Sequence, residues 1–374
     1  MFKQWTSWSR RRVLAAGLGI ATAAPLIARG GPATARLLNV SYDVSRELFA
    51  QINPAFASYW TARTGQSVEV SQSHGGSSAQ ARAVAEGLPA DVVTLNQVTD
   101  LLFLQKSGLI APNWRQRLPD QASPSYSLPV FLVRAGNPRR IRDWEDLARP
   151  GVRVILANPK TSGNGRYAYL GVYTDALEKT RGDERKTRDT VTRVLGNVAV
   201  MDTGGRGATT TFVEREVGDV LVTFESEVHS IRSERPEAAL ESVVPPMSVQ
   251  ADFPVAIVDK VVDRHGTRTL ATAYTQFLFT DPAQEILARN FNRVRSIAVA
   301  GRYQAQFPRV RLVALEQRFG SWEGIARKHF DAGGVLDLSL AQLPHWVAGI
   351  PAGKTETAVQ PEKVGRPFDR RGRF

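Results

Sequence analysis

The segment 158–166 consists of Asn158-Pro159-Lys160-Thr161-Ser162-Gly163-Asn164-Gly165-Arg166. This polar turn follows an apolar run with strand character, 152–156, and precedes a run with helical character that starts at Tyr167. The first backbone N–H groups of a helix have no acceptor within the helix, and the helix dipole adds partial positive charge beside them. The pattern therefore predicts a strand, a turn and a helix whose amino end can bind an anion.

Two other segments share this layout, and both place Gly and Ser where a helix is expected to begin. They are Ser73-His74-Gly75-Gly76-Ser77-Ser78 and Thr203-Gly204-Gly205-Arg206-Gly207. Three such turns in one chain predict a pocket that holds an oxyanion. A nucleotide site is not indicated, because the chain has no Gly-x-x-x-x-Gly-Lys-Ser/Thr loop and no Gly-x-Gly-x-x-Gly turn in its first strand–helix unit.

Strand and helix patterns alternate along the chain. In the first unit, 37–42 has strand character, and 44–64 has apolar residues about every four positions, as one face of a helix requires. Asp43 is the predicted N-cap of this helix, and Gly65 is its predicted end. The repeated alternation predicts an α/β fold with mainly parallel sheets.

The later segments extend this pattern into two lobes. Predicted strands are 67–72, 91–95, 130–133, 219–224 and 255–262, and predicted helices are 79–86, 100–106, 170–179, 187–195, 268–279 and 282–290. Segments 112–129 and 243–253 contain prolines and are predicted to cross between lobes, which leaves a ligand cleft between them. The predicted boundaries are 36–125 for the first part of lobe I, 126–250 for lobe II, and 251–340 for a return to lobe I with C-terminal helices.

The amino terminus has the pattern of an export signal. Arg10, Arg11 and Arg12 follow Ser9 and precede a weakly apolar run, 13–27, and small residues follow as far as Ala35. The pair of arginines is typical of a twin-arginine signal. The apolar run is shorter than the roughly 20 residues that span a membrane. We predict cleavage after Ala35, a soluble exported protein, and a disordered basic tail at 341–374.

Charge alone would allow a nucleic-acid partner, since the net charge is +12 and the pI is about 10.2. The distribution argues against it. Residues 1–35 and 341–374 contribute most of the excess, and no basic stripe interleaved with aromatic residues is present. The sequence therefore predicts no nucleic-acid binding.

Catalytic and metal chemistry find little support in the sequence. The chain has no cysteine, and its five histidines lack the spacing of metal ligands. The His74-Gly75-Gly76 turn could form an oxyanion hole in an exported hydrolase, but the Gly-x-Ser-x-Gly nucleophile turn of such enzymes is absent. We predict no catalytic residue, no metal and no cofactor, and retain the exported hydrolase as the alternative from another class.

Six segments together resemble the periplasmic sulfate-binding proteins of ABC importers, over residues 37–337. They are Leu38-Asn39-Val40-Ser41-Tyr42-Asp43, Gln72-Ser73-His74-Gly75-Gly76-Ser77, Asn158-Pro159-Lys160-Thr161-Ser162-Gly163, Arg206-Gly207-Ala208-Thr209-Thr210-Thr211-Phe212-Val213-Glu214-Arg215, Gly218-Asp219-Val220-Leu221 and Val258-Asp259-Lys260-Val261-Val262. The resemblance implies two α/β lobes of the periplasmic-binding-protein fold, joined by crossing strands and closing on the anion. It also implies a monomeric periplasmic receptor that delivers sulfate to an inner-membrane ABC permease.

The resemblance further implies which groups hold the anion. The implied donors are the backbone N–H groups of Asp43, Gly163, Asn164 and Gly205, and the N–H and hydroxyl of Ser77. The Asp43 carboxylate is expected to cap its own helix. Arg166 and Arg206 are expected to brace the loops, with ordinary surface positions as the alternative.

Two positions depart from the family pattern. Asn164 replaces a glycine, which a backbone contact tolerates if Asn adopts the required dihedral angles. Phe224 replaces a tryptophan and therefore lacks the indole N–H, whose hydrogen bond to a charged group contributes roughly 1.5–3 kcal/mol.

The chemistry of the implied donors favours a fully ionised anion. Sulfate carries no proton near pH 7, whereas a site selective for monohydrogen phosphate needs an acceptor for its proton. Thiosulfate or another tetrahedral oxyanion is a rival ligand, and the terminal sulfur of thiosulfate is a poor acceptor that could rest against Phe224. The sequence leaves the choice between sulfate and thiosulfate open.

Overall fold

Two mixed β-sheets organise residues 34–343, the part of the chain that the computed structural model describes. The strands are β1 (Ala35–Tyr42), β2 (Val68–Gly75), β3 (Val92–Thr94), β4 (Ser125–Ser127), β5 (Pro129–Val133), β6 (Val154–Ala157), β7 (Val198–Asp202), β8 (Val220–Phe224), β9 (Glu241–Val243), β10 (Met247–Val249), β11 (Ala251–Phe253), β12 (Val255–Ile257), β13 (Arg293–Val294) and β14 (Arg311–Val313).

Helices surround both sheets. They are α1 (Arg46–Thr64), α2 (Ser77–Ala85), α3 (Val98–Lys106), the short turn α4 (Pro119–Ala122), α5 (Gly163–Lys179), α6 (Glu184–Gly196), α7 (Gly205–Thr209), α8 (Glu225–Glu234), α9 (Asp259–His265), α10 (Arg268–Phe277), α11 (Asp281–Arg289), α12 (Ile297–Tyr303), α13 (Leu315–Phe319), α14 (Trp322–His329) and α15 (Val335–Leu340).

The sheet of lobe I has the strand order β12-β3-β1-β2, and the sheet of lobe II has the order β7-β6-β8-β5-β9. In lobe I, β1 is parallel to β2 and β3, while β12 is antiparallel to β3. In lobe II, β6 is parallel to β7 and β8, while β5 is antiparallel to β8 and β9. The prediction of mainly parallel sheets was therefore wrong for part of each sheet. The reversed strands β5 and β12 enter directly from the crossing segments, without the helix that a parallel crossover needs.

The lobes are joined where the chain crosses between the two sheets. Strand β4 precedes lobe II and pairs antiparallel with β11, which follows it, and β13 pairs with the other edge of β4. Arg295 reinforces this junction, because its Nη2 donates to Asp252 Oδ1 at 2.5 Å and its guanidinium lies 4.5 Å from the centre of the Tyr126 ring. The two predicted crossing segments contain β4, β10 and β11.

The C-terminal helices contact both lobes. Helix α14 packs on α3, which follows the lobe I strand β3, and helix α15 packs on α6, which precedes the lobe II strand β7. Lys160 donates to Phe330 O at 2.7 Å and pairs with Asp337 at 2.8 Å, and Lys328 donates to Glu184 at 2.8 Å. Residues 322–340 therefore link the two lobes, whereas the sequence predicted only that 251–340 return to lobe I.

Most predicted elements are present with shifted ends, but the strand predicted at 255–262 was wrong beyond Ile257. The chain continues there as helix α9, whose Asp259 accepts the Ala111 N–H at 2.8 Å and a hydrogen bond from Arg117 at 2.8 Å. Its buried residues Val261 and Val262 fit helical as well as strand spacing, and tertiary contacts select the helix.

Two predicted segments lie mainly outside the described residues. The structure does not describe residues 1–33, which make up nearly all of the predicted export signal (1–35). It also does not describe residues 344–374, which make up nearly all of the predicted basic tail (341–374). Between 34 and 343, no helix combines the length and the apolar character that crossing a bilayer requires.

Helix α5 crosses lobe II in close contact with Trp144. A Cβ atom at Gly171 would lie 2.5 Å from the Trp144 ring. The ring is buried, packs edge-to-face on Phe131 with centroids 4.9 Å apart, and donates its Nε1–H to Met247 O at 2.8 Å. Because these contacts fix the indole, only glycine fits at 171.

We expect Gly171→Ala to lower the free energy of unfolding by roughly 1–3 kcal/mol, the usual cost of overpacking a core. The matched control is Gly301→Ala in helix α12, where a Cβ would meet nothing within 4 Å. This control should be neutral or stabilising by up to about 1 kcal/mol, because it reduces the entropy of the unfolded chain. Chemical denaturation of both variants checks the prediction, and equal stabilities would contradict it.

Candidate functional site

The three turns that the sequence singled out lie together between the two lobes. A Cβ atom at Gly76 would lie 3.0 Å from Thr161 O and 3.4 Å from Thr203 O, so the turn before α2 touches the turns before α5 and α7. The hydroxyl of Thr161 donates to Thr203 O at 2.7 Å. The structure therefore brings one turn of lobe I against two turns of lobe II.

Helix α5 begins at Gly163, four residues earlier than the helical character at Tyr167 indicated. Glycine permits this start, since a Cβ at Gly163 would lie 2.0 Å from Asn96 Oδ1 and a Cβ at Gly165 would lie 2.2 Å from Ala157 O. The N–H groups of the first helical turn have no acceptor within the helix. The early start thus places those N–H groups at the junction of the three turns.

Asn164 occupies the second position of α5 with an ordinary right-handed backbone, so its replacement of glycine causes no strain. Its side chain is buried, and Nδ2 donates to Thr223 Oγ1 at 2.7 Å and to Glu227 Oε2 at 3.4 Å. The amide is thus held by lobe II, and its backbone N–H belongs to the first turn of the helix.

The prediction that Asp43 is the N-cap of the first helix was wrong. Asp43 starts a 3₁₀ turn, Asp43–Ser45, and Ser45 is the N-cap of α1. The carboxylate instead joins the lobes, because Oδ1 accepts the Val44 N–H at 3.0 Å and Oδ2 accepts the Arg206 N–H at 3.1 Å. Burial raises the pKa of Asp43, and the hydrogen bonds from these backbone groups partly offset the rise.

Glycine makes this bridge possible as well. A Cβ at Gly204 would lie 2.4 Å from Asp43 Oδ2, and a Cβ at Gly205 would lie 3.2 Å from Val44 Cγ1. The first residues of α7 are therefore in direct contact with the end of strand β1 on the opposite lobe.

Glu227 is a buried carboxyl group at this junction that the sequence analysis missed. Its oxygens accept hydrogen bonds from the hydroxyl groups of Thr209 and Thr223 and from Asn164 Nδ2. Burial raises its pKa from 4.5 to about 7. Glu227 thereby links α5, α7 and β8. Acidic residues are common in the first turn of any helix, so no sequence pattern distinguishes this one.

Phe224 lies at the end of β8 with no exposed surface. Its ring contacts Phe253 on the crossing strand at 5.2 Å and Tyr167 on α5 at 6.1 Å between centroids, and Phe253 also contacts Tyr42 of lobe I at 5.3 Å. An aromatic cluster of four rings thus spans both lobes and the crossing strand behind the turns.

Arg166 lies at the interface between lobes rather than on the surface. Its Nε donates to Pro159 O at 3.0 Å, and its Nη1 donates to Thr99 Oγ1 at 2.5 Å and Asp100 Oδ1 at 3.1 Å. The guanidinium lies 5.3 Å from the centre of the Phe330 ring. The side chain therefore ties the turn before α5 to α3.

Arg206 differs from Arg166 in its surroundings. Its side chain pairs with Glu47 at 3.0 Å, and the two side chains are 57% and 49% exposed. Exposed ion pairs contribute about 0–1 kcal/mol. The contact that fixes this position is the backbone N–H of Arg206 on the Asp43 carboxylate.

Comparisons with known proteins identify the family of the chain. The sequence pattern of the bacterial extracellular solute-binding proteins matches residues 40–292. The chain is 46% identical over 326 residues to a thiosulfate-binding protein of Pseudomonas aeruginosa, covering 87% of this chain and 96% of that protein. It is 44% identical over 302 residues to a sulfate-binding protein of Escherichia coli, covering 81% and 92%. The chain belongs to the family of bacterial extracellular solute-binding proteins.

A solved structure supports the same membership. The sulfate-binding protein of Mycobacterium tuberculosis is 32% identical and superposes with a TM-score of 0.72, covering 79% of this chain and all of that one. Members of this family are solute-binding proteins rather than enzymes. Within residues 34–343 we find no cluster of His, Asp or Glu side chains that could hold a metal ion.

Glu227 provides a test of the electrostatics of this site. Because its pKa is raised in the folded state, folding favours the protonated carboxyl, and this stability is lost as the pH rises through about 7. We expect wild type to lose up to roughly 3 kcal/mol relative to Glu227→Gln between pH 5 and pH 8.5, since one pKa unit corresponds to about 1.4 kcal/mol.

Denaturation of wild type and Glu227→Gln at both pH values measures this difference. The control is Glu234→Gln, an exposed position at the other end of α8, which should track wild type at both pH values. A stability difference between wild type and Glu227→Gln that does not change with pH would contradict the prediction.

Proposed function

We propose that this protein is a periplasmic receptor that binds sulfate between its two lobes and delivers it to an ABC importer in the inner membrane. The observation that carries the proposal is the convergence of three glycine-containing turns, each before a helix, at the contact between lobes. Relatives named sulfate-binding and thiosulfate-binding proteins, which align over most of this chain, support the class of ligand.

The proposed donors come from both lobes. Lobe I supplies the backbone N–H of Asp43 and the N–H and hydroxyl of Ser77, and lobe II supplies the backbone N–H groups of Gly163, Asn164 and Gly205. Neutral donors at helix ends stabilise an anion through directed hydrogen bonds and the partial charge of the helix dipole. Such a site needs no buried cation to balance the ligand.

The two carboxyl groups at the junction favour sulfate over monohydrogen phosphate. A phosphate site needs an acceptor for the ligand's proton. Asp43 already accepts two backbone N–H groups, and Glu227 accepts the two threonine hydroxyl groups and the Asn164 amide. Each of these carboxyl oxygens thus accepts at least one hydrogen bond from the protein, and the other groups proposed for the site are donors, which suits an anion that carries no proton.

Thiosulfate is the second candidate ligand, and Phe224 is the observation that favours it. The phenyl ring offers no N–H, and an apolar wall suits the terminal sulfur of thiosulfate better than a fourth oxygen. The relative from Pseudomonas aeruginosa carries the name of a thiosulfate-binding protein.

The proposed cellular setting follows from the sequence. A twin-arginine signal cleaved after Ala35 would deliver the folded, soluble chain to the periplasm, where it would act as a monomer without nucleic acid. An exported hydrolase is the weaker alternative. His74 of the supposed oxyanion turn is half-buried and its Nδ1 lies 3.1 Å from Tyr42 O, a contact that fixes the turn within lobe I.

Calorimetric titration of the full chain, freed of bound anion, tests the proposal. We expect sulfate or thiosulfate to bind with micromolar or lower Kd and phosphate to give no heat of binding. Ser77→Ala should weaken binding by about tenfold or more, because it removes a hydrogen bond to a charged group.

The matched control for that variant is Ser78→Ala. Ser78 is equally buried, but its hydroxyl donates to Asp100 Oδ1 at 2.8 Å, so its loss should affect stability more than affinity. If neither sulfate nor thiosulfate binds wild type, the comparisons describe only the fold and the proposed ligand is wrong.

Phe224→Trp tests the choice between the two anions. We expect the added indole N–H to raise the affinity for sulfate relative to thiosulfate by about tenfold or more. Phe253→Trp is the control, because Phe253 contacts Phe224 within the same aromatic cluster and is also buried. Phe253→Trp should lower the stability of the protein and leave the ratio of the two affinities unchanged. If Phe224→Trp also leaves the ratio of sulfate to thiosulfate affinity unchanged, Phe224 does not determine the selectivity.

A further inference from the structure

Asn96 lies in the loop between β3 and α3 and is 1% exposed. Its side-chain oxygen has no hydrogen-bond partner among the described residues. Buried polar atoms are paired in the great majority of cases, and an unpaired one carries an energetic cost. The position therefore calls for a partner that residues 34–343 do not supply.

Its surroundings indicate where such a partner would lie. The backbone N–H of Asn96 approaches Ser77 Oγ at 3.4 Å within lobe I. On the side of lobe II, Asn96 Oδ1 lies 2.0 Å and Asn96 O lies 2.9 Å from the position that a Cβ of Gly163 would occupy. Asn96 is thus in contact with proposed donors from both lobes.

The chemistry of an amide suits this place. An asparagine presents an oxygen at one end and an NH₂ group at the other, and a half-turn about the Cβ–Cγ bond exchanges them. If the amide oxygen lies beside the first turn of α5, it finds no donor on a fully ionised anion. If the NH₂ group lies there instead, it can donate a hydrogen bond to the anion. The oxyanion is therefore the partner that fits.

We propose that Asn96 is a further ligand-binding residue, whose side-chain NH₂ donates to the bound oxyanion beside Ser77 and Gly163. This inference rests on the proposed function, since it concerns the same anion site. It also supplies a neutral donor in a chain where Phe224 offers no N–H. Asn96 is a side-chain donor, so it can be removed without altering the backbone of any turn.

The test is calorimetric titration of the full chain with sulfate and with thiosulfate. We expect Asn96→Ala to weaken binding of the preferred anion by about tenfold or more, as for loss of a hydrogen bond to a charged group. Asn96→Asp should bind more weakly still near neutral pH, because a carboxylate then faces the anion, and should recover affinity as the pH is lowered and the carboxyl is protonated.

The control is Asn197→Ala. Asn197 lies at the start of β7, the opposite end of that strand from the turn before α7, and its Nδ2 donates to Leu147 O at 2.7 Å and Arg149 O at 2.8 Å. Loss of these hydrogen bonds should lower the unfolding temperature and leave both affinities unchanged. Asn96→Ala should weaken anion binding and leave the unfolding temperature unchanged, because the amide oxygen of Asn96 makes no hydrogen bond to the described residues that the variant would lose.

The outcomes separate the two proposals. If wild type binds an anion and both Asn96 variants bind it equally well, the role of Asn96 is overturned and the receptor function stands. If Asn96→Asp alone is weakened, with no recovery at lower pH, the amide acts only through packing and the inference is again wrong. If wild type binds neither anion, the proposed function itself fails.

Discussion

Direct backbone contact between the turns before α2, α5 and α7 is the constraint on which the rest of the site depends. The backbones approach closely because Gly76 has no Cβ atom, which would lie 3.0 Å from Thr161 O and 3.4 Å from Thr203 O, and Gly204 allows a similar approach of the Asp43 carboxylate. A Cβ at Gly76 would force Thr161 O to shift by a few tenths of an ångström, and a Cβ at Gly204 would displace the Asp43 carboxylate. Glycine here therefore serves close approach between segments, and neither residue has the positive φ that glycine often provides.

Two carboxyl groups, the half-buried Asp43 and the buried Glu227, hold these turns in place. Asp43 extends from lobe I to the Arg206 N–H, and Glu227 connects α5, α7 and β8 within lobe II. Both have raised pKa values because burial disfavours their charged forms. Their oxygens accept hydrogen bonds from the protein, and the proposed anion would instead meet N–H groups at the helix ends.

Local patterns predicted the α/β alternation, the crossing segments and all three turns, because each depends on neighbouring residues. The errors arose where distant segments decide the outcome. Asp43 has the sequence position of a helix cap, but in the folded chain its carboxylate accepts the Arg206 N–H from the opposite lobe. Segment 255–262 has the apolar pattern of one strand, but its second half is helix α9, where Asp259 accepts the Ala111 N–H. Asn96 and Glu227 carried no recognisable motif, since their significance depends on burial beside Gly163 and Asn164, which only the folded chain reveals.

The link between the lobes through α14 and α15 bears on how tightly any ligand can be held. A two-lobed receptor with an unrestrained hinge populates many open arrangements, and binding must select among them, which lowers the apparent affinity. Here Lys160 and Lys328 anchor the C-terminal segment to lobe II while α14 rests on α3. We expect these contacts to narrow the range over which the lobes can open without ligand. Less conformational freedom would then be lost on binding, so the proposed set of neutral hydrogen bonds would hold its anion more tightly than in a receptor with an unrestrained hinge.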